Sequence, residues 1–387
     1  MTAWSEHVAH GRGGERLGGY GMGGIERLAA GIEAELARQL PRQRKTQRGK
    51  LALLVATMLS ERSANLMDLA AALPRPTERA DMRYQWIARL LANPRVDCDV
   101  VMRPFAEGAV RQAGAEGGTV VLLLDQSRVS AGHQMLMVSV RAGERALPLA
   151  WRVRRTRGSI GFAEQRELLT LVAGWLPAGT RIVLMGDRFY GSPDLIALCH
   201  VLGWGWRLRL KQDLLVFQDG GETTLAACFA RGERMLGDVE LTGKRVATSV
   251  AMVHEPGHPE PWIIALSEPP TVHRAFDYGL RWGIEAMFSD LKSRGFGLED
   301  SQLRHPERLA RLLLVMALAL HWAVSTGMWE SAHRPLPAEK KFRGRGRRKR
   351  PAAAPPSSRA ACAASNAFCN SSSRSRLYGA SGRTDGW

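Results

Sequence analysis

Apolar positions along this chain follow two different periods, and the change comes near Gly118. From about residue 25 to residue 91 the spacing is helical. Ile25, Leu28, Ile32 and Leu36 fall on one face, residues 51–59 are apolar, and residues 63–73 form a further amphipathic stretch. Pro74 and Pro76 break the run, and residues 82–91 resume it with Trp86, Ile87, Leu90 and Leu91. After Gly118 the pattern turns to strands. Residues 119–124 are a continuous β-favouring run, which predicts a buried strand ending at Asp125. Residues 134–141 and 146–153 predict two more strands, spaced closely enough for an antiparallel meander. An amphipathic helix over 163–175 precedes another buried strand, 181–185, with Gly186 and Asp187 at its end. Ser192 and Pro193 supply an N-cap and a first helical residue for a helix to about Leu202, and 204–210 alternates as a fifth strand.

Residues 212–270 hold short strand-like pieces (214–218, 238–241, 246–253 and 262–266) between Gly and Pro punctuation, and read as a β-rich insertion. A helix is expected from Asp277 to about Ser293, with Gly295 as its stop, and a last apolar helix over 306–324. The longest apolar run, 312–324, is interrupted by His321 and is too short to cross a bilayer. The fold class predicted is α/β, with a mixed sheet flanked by helices.

Charge changes this picture at two places. The 387-residue chain carries a formal net charge of +17, which points to a polyanionic partner. From Arg334 onward there are 13 Lys and Arg against Glu339 and Asp385, so the tail supplies +11 and the remainder only +6. Any nucleic-acid surface on the folded part must therefore be local. Residues 38–50 are one such patch, with six basic residues, among them Arg42, Arg44, Lys45 and Arg48, and no acid. Short helices with a basic edge suit contact with a duplex, although a solvated helix face has the same composition. The five cysteines are scattered and odd in number, which fits a reduced cytoplasmic protein.

The candidate chemistry begins with Asp125 and Asp187, each at the end of a buried apolar strand, where ligands gather in open α/β sheets. A third acid, Glu285, lies in the segment Tyr278-x2-Arg281-x3-Glu285-x6-Lys292. On an α-helix Arg281, Glu285 and Lys292 would stand at about 300°, 340° and 320° from Tyr278, one narrow stripe beside an apolar face of Leu280, Ile284, Met287, Phe288 and Leu291. An ordinary amphipathic helix with one Arg281–Glu285 ion pair would look the same.

The segment matches the signature of the insertion-sequence-four family of DDE transposases, which this chain resembles over roughly residues 45–330. Leu123-Leu124-Asp125-Gln126-Ser127 is similar to the family's first acidic motif, and Gly186-Asp187-Arg188-Phe189-Tyr190-Gly191 to its second. The resemblance implies a ribonuclease-H-like core and a transposase that binds terminal repeats, cleaves DNA ends by metal-dependent hydrolysis and joins 3′-hydroxyl ends to target DNA. It implies that Asp125, Asp187 and Glu285 bind two Mg²⁺ ions (Mn²⁺ as an alternative), and that Tyr278, Arg281 and Lys292 contact phosphates at the transposon end. Trp262 could stack on an extruded base or could be core. The implied partners are double-stranded DNA and a second copy of the chain in the DNA complex, without a membrane, in the bacterial cytoplasm at the nucleoid.

The domain organisation expected is a disordered segment 1–24, a helical DNA-binding region 25–110, the catalytic domain 111–330 with its insertion at 212–270, and a basic low-complexity tail 331–387. Met22 would be an alternative start, and the Ala/Ser/Pro-rich tail departs from the family and hints at a frameshift. A relic that grips DNA without cutting it is the second reading, favoured by that tail. His254-Glu-Pro-Gly-His258 superficially suggests zinc, but Pro256 and Gly257 forbid the helix that would align the imidazoles.

Overall fold

The computed structural model describes residues 23–77, 79–130, 132–254 and 260–333. The expectations for the first 22 residues, for His258 and for the tail from Arg334, with Cys362 and Cys369, lie outside the described residues. The chain divides into two units, one of which covers residues 14–321. Of the other, the described residues are 322–333, the end of the last helix.

The helical pattern of the first hundred residues becomes α1 (Gly24–Gln39), α2 (Lys45–Glu61), α3 (Leu66–Ala72), α4 (Ala80–Ala92) and α5 (Cys98–Ala113). The first two pair through Ile32 and Leu36 on α1 and Leu54, Val55 and Met58 on α2, all fully buried. Helix starts are capped where short polar side chains allow it. Asn65 accepts a hydrogen bond from the Met67 N–H, and Asp97 accepts from the N–H groups of Asp99 and Val100.

One sheet organises the rest. Its strands are β1 (Val120–Ser130), β2 (His133–Ala142), β3 (Arg145–Arg155), β4 (Ile182–Gly186), β5 (Gly205–Arg209), β6 (Leu215–Gln218), β7 (Gly221–Thr224), β8 (Met235–Leu241), β9 (Val246–Val253) and β10 (Trp262–Leu266). Their order is β3-β2-β1-β4-β5-β10-β9-β8-β6-β7. The first three strands form the antiparallel meander, while β4 runs parallel to β1 and β5 parallel to β4. Helices α6 (Phe162–Ala173) and α7 (Pro193–Leu202) make the crossovers that parallel pairing requires, and the Ser192 side chain caps α7 by accepting from the Leu195 N–H. This mixed sheet with its helices is compatible with a ribonuclease-H-like fold.

One expectation about the sheet needs correction, and one segment gains a place in it. Strand β1 does not end at Asp125; pairing with β2 carries it on to Ser130. Only its other side ends there, since the last β1–β4 pair is Leu124 with Gly186. The β-rich segment, in turn, extends the main sheet. β10 pairs antiparallel with β5 through Ile264–Arg209, Ala265–Leu208 and Leu266–Arg207, and so covers what would be an open edge. All five residues of β10 are buried, as a central strand requires.

The remaining helices are α8 (Leu225–Ala230), α9 (Val272–Phe276), α10 (Gly283–Leu291) and α11 (Pro306–His333). The expected helix over 277–293 is split: Asp277–Trp282 is a 3₁₀ turn, and α-helical geometry begins only at Gly283. Gly283 lies against the turn between β2 and β3, where an added Cβ would stand 3.2 Å from the Arg145 carbonyl. The last helix outruns the expected end at Val324. Its stretch Pro306–Trp329 is long and apolar enough to cross a membrane, with 67% of its apolar window buried inside the protein. It is also tied to its surroundings: Arg311 donates to the carbonyls of Val96 and Leu91, and Trp151 Nε1 donates to the Ala310 carbonyl at 3.1 Å.

If β10 is a structural centre of the sheet, truncating Ile264, which is fully buried, should affect the whole molecule. Ile264→Ala is expected to cost about 2–5 kcal/mol, read as a lower urea midpoint at unchanged transition shape; a separate early transition confined to residues 212–270 would contradict it.

Candidate active site

The parallel register brings the first two acids together. Leu124 and Gly186 are the last partners of β1 and β4, so Asp125, still within β1, and Asp187, just past β4, follow at the same level, and strands pair about 4.8 Å apart. Their side chains feel each other. Burial and then the charge of Asp187 push the Asp125 carboxyl up to about 7; Arg281 and the Gln126 N–H oppose that rise, and Glu285 adds to it. Asp125 Oδ1 accepts from the Gln126 N–H at 2.7 Å, and Asp187 Oδ1 from the Phe189 N–H at 2.8 Å.

Glu285 arrives from the first turn of α10, which packs on β1, β2 and β3. Between it and Asp125 stands Arg281. Its Nη1 donates to Asp125 Oδ2 at 3.2 Å and its Nη2 to Glu285 Oε1 at 2.6 Å. The guanidinium and Asp125 are nearly enclosed, at 10% and 13% side-chain exposure, whereas Glu285 is 58% exposed. Burial alone would lower the Arg281 pKa, but Tyr278, Asp125 and Glu285 outweigh it and the guanidinium is held above its ordinary value.

The donor set is all carboxylate oxygen, which suits a hard divalent ion such as Mg²⁺ or Mn²⁺. A cationic group already bridges two of the three acids, a stand-in for the charge such an ion would bring. In chemistry and in charge the residues therefore fit a metal. As they stand they do not yet enclose one: among the described residues no three His, Cys, Asp or Glu side chains are grouped to hold an ion.

The other residues singled out from the sequence sit less uniformly. Tyr278 and Arg281 align because a 3₁₀ turn superposes positions three apart, and the guanidinium lies 5.7 Å from the ring centroid. Tyr278 is buried, and burial pushes its hydroxyl up to about 12. Helix α10 ends at Leu291, and the Lys292 ammonium lies 3.9 Å from Glu299, with its pKa lowered by burial. Trp262, at 2% exposure, packs in a core cluster and meets Tyr278, Phe276 and Trp282 edge to face. In this arrangement it has no open face for a base, so the stacking role expected for it has no support here and the core reading holds.

Arg42, Arg44 and Lys45 are exposed at the α1–α2 turn, but Arg48 is not a free surface charge. Its side chain is 14% exposed and donates to the carbonyls of Gln43 and Leu40, closing the turn from within. Tyr190, quoted in a motif but given no role, is 1% exposed, with its hydroxyl unpartnered. Burial and the charges of Asp125 and Asp187 raise its pKa, so it lies beside the acids. Its four-residue spacing from Gly186 was visible in the sequence, but its depth was not. Gly191 follows, where a Cβ would fall 1.8 Å from the Arg209 carbonyl oxygen, so only glycine lets the loop after Asp187 lie against β5.

Residues 163–322 match the family model of the transposase DDE domain. The match supports a DDE transposase. It takes in Asp187, Tyr278, Arg281, Glu285 and Lys292; Asp125 and the β1–β3 meander precede it. No curated protein matches the chain.

Two substitutions separate structural from surface roles. Gly191→Ala should destabilise by about 1–3 kcal/mol through forced overpacking, seen in thermal or urea unfolding. Arg48→Ala should lower stability by about 1–2 kcal/mol, because it strips the donor from two carbonyls, while Arg44→Ala and Lys45→Ala leave the unfolding midpoint unchanged; equal effects from all three would refute the distinction.

Proposed function

We propose that this chain is a DNA transposase of the DDE type in which Asp125, Asp187 and Glu285 hold the divalent ions. The reading rests above all on Asp125 and Asp187 standing level on neighbouring strands, with Arg281 joining Asp125 to Glu285. DDE transposases use divalent metal ions, and the match to a transposase DDE domain over residues 163–322, a span that includes Asp187 and Glu285, supports a transposase.

Bound ions would supply charge neutralisation at the attacking and leaving oxygens of in-line phosphoryl transfer. The chain's own residues do the rest. The low-polarity surroundings of Asp125 strengthen every charge interaction there. Arg281 offers a planar fork suited to a phosphate, and Lys292, whose charged form is disfavoured by burial, gains most from a nearby phosphate anion. The reaction would be hydrolytic release of a 3′-hydroxyl at the element's end, followed by attack of that hydroxyl on target DNA. Arg42, Arg44 and Lys45 form an exposed basic turn that would grip the phosphodiester backbone without reading bases. Two copies, one on each end, and a site of action at the nucleoid complete the proposal.

Purified protein incubated with DNA bearing the element's own ends should nick it with Mg²⁺ present and stop when EDTA is added. Glu285→Gln should reduce cleavage by about a thousandfold or more, on the scale of losing one charge-stabilising group, while its affinity in a gel-shift assay stays within about twofold. Cleavage at the wild-type rate by that variant would remove Glu285 from the site; wild-type binding without cleavage would favour a DNA-binding relic instead.

A further inference from the structure

We propose that Arg281 is a built-in substitute for the metal, so that divalent ions bind the acids only when its guanidinium lets go. This rests on the assignment of Asp125, Asp187 and Glu285 as the metal-binding set. The geometry carries it: one guanidinium spans Asp125 at 3.2 Å and Glu285 at 2.6 Å. An ion seated between those carboxylates would compete for the same oxygens and meet a fixed positive charge at contact distance.

The bridge to the acids depends on two contacts. Arg281 is 10% exposed, its Nε has no hydrogen-bond partner, and only its two Nη atoms are engaged with the acids. It sits in the 3₁₀ turn Asp277–Trp282, immediately before the α-helical segment that carries Glu285. Such a junction can exchange i,i+3 for i,i+4 bonding and shift the side chains on either side relative to each other. A phosphate is the partner best able to take the guanidinium from carboxylates, because it accepts the same two-pronged donation. Phosphate binding at Arg281 and metal binding at the acids would then assist one another, each by the same factor. In the resting protein the guanidinium keeps the acids neutralised and the site short of metal.

The test uses the full chain without DNA, titrated with Mn²⁺ and followed by the electron paramagnetic resonance signal of the free ion. Arg281→Gln should bind Mn²⁺ at least about tenfold more tightly than wild type, given the strength of a contact charge in a partly buried site. Arg281→Lys should fall between them. Arg209→Gln removes the same charge from β5 without an ion pair to these acids, and should stay within about twofold of wild type. Adding Asp125→Asn to Arg281→Gln should abolish the gain. Circular dichroism and melting curves check that each variant is folded; if Arg281→Gln is not, Arg281→Lys decides, and an unchanged affinity in it overturns the proposal. Equal or weaker binding by folded Arg281→Gln, or an equal gain from Arg209→Gln, also overturns it while leaving the metal assignment intact, provided that Asp125→Asn still lowers affinity. Absence of any Asp125-dependent Mn²⁺ binding overturns both.

Discussion

Two carboxylates set level on adjacent parallel strands repel each other, and much of the local structure follows from that repulsion. The register of β1 and β4 ends at Leu124 and Gly186, so Asp125 and Asp187 follow side by side. Asp125 is also nearly enclosed, and both effects make its charged form hard to keep. Positive charge close at hand, or a proton on one of the two, relieves that cost. Arg281 brings such a charge to Asp125 from a segment 156 residues further along. The 3₁₀ turn, the glycine contact at Arg145 and the packing of α10 on the meander together hold that charge where the acids need it.

The polypeptide that supplies the acids also limits how they can move. Asp187 is followed by a loop pressed against β5 at Gly191, and the buried Tyr190 lies beside both aspartates. Glu285, by contrast, is more than half exposed at the first turn of a short helix. The site therefore combines two acids on a stiff sheet with a third on a more adjustable element. Adjustment of the third acid, rather than of the sheet, is the natural way for such a site to close around a ligand.

Much of this was visible in the sequence because local pattern carried it. Continuous apolar runs marked β1 and β4, alternation marked β2 and β5, and the Ser192-Pro193 pair marked the start of α7. The acids could be singled out by their position at or near strand ends and by the spacing of Tyr278, Arg281 and Glu285. What local pattern could not show was long-range pairing. Nothing in residues 262–266 says that they hydrogen-bond to 207–209, so the segment read as an insertion and not as half of one sheet. The single helical stripe failed for a related reason: its angles assumed 100° per residue throughout, whereas Asp277–Trp282, which carries Tyr278 and Arg281, is a 3₁₀ turn. Arg48 misled because a basic composition does not reveal which guanidinium turns inward to serve backbone carbonyls.

The hydrogen bonding of β10 to β5 has a consequence for how this protein could be shortened. A segment attached only at its two ends can be cut out and the gap closed with a linker. Here, excising residues 212–270 would strip β5 of its neighbour and leave a bare strand edge beside the loop that carries Asp187. That edge would recruit whatever strand it met, including one from another copy. A smaller derivative would have to keep β10, or replace it with another strand of the same direction, before anything outward of it could be removed.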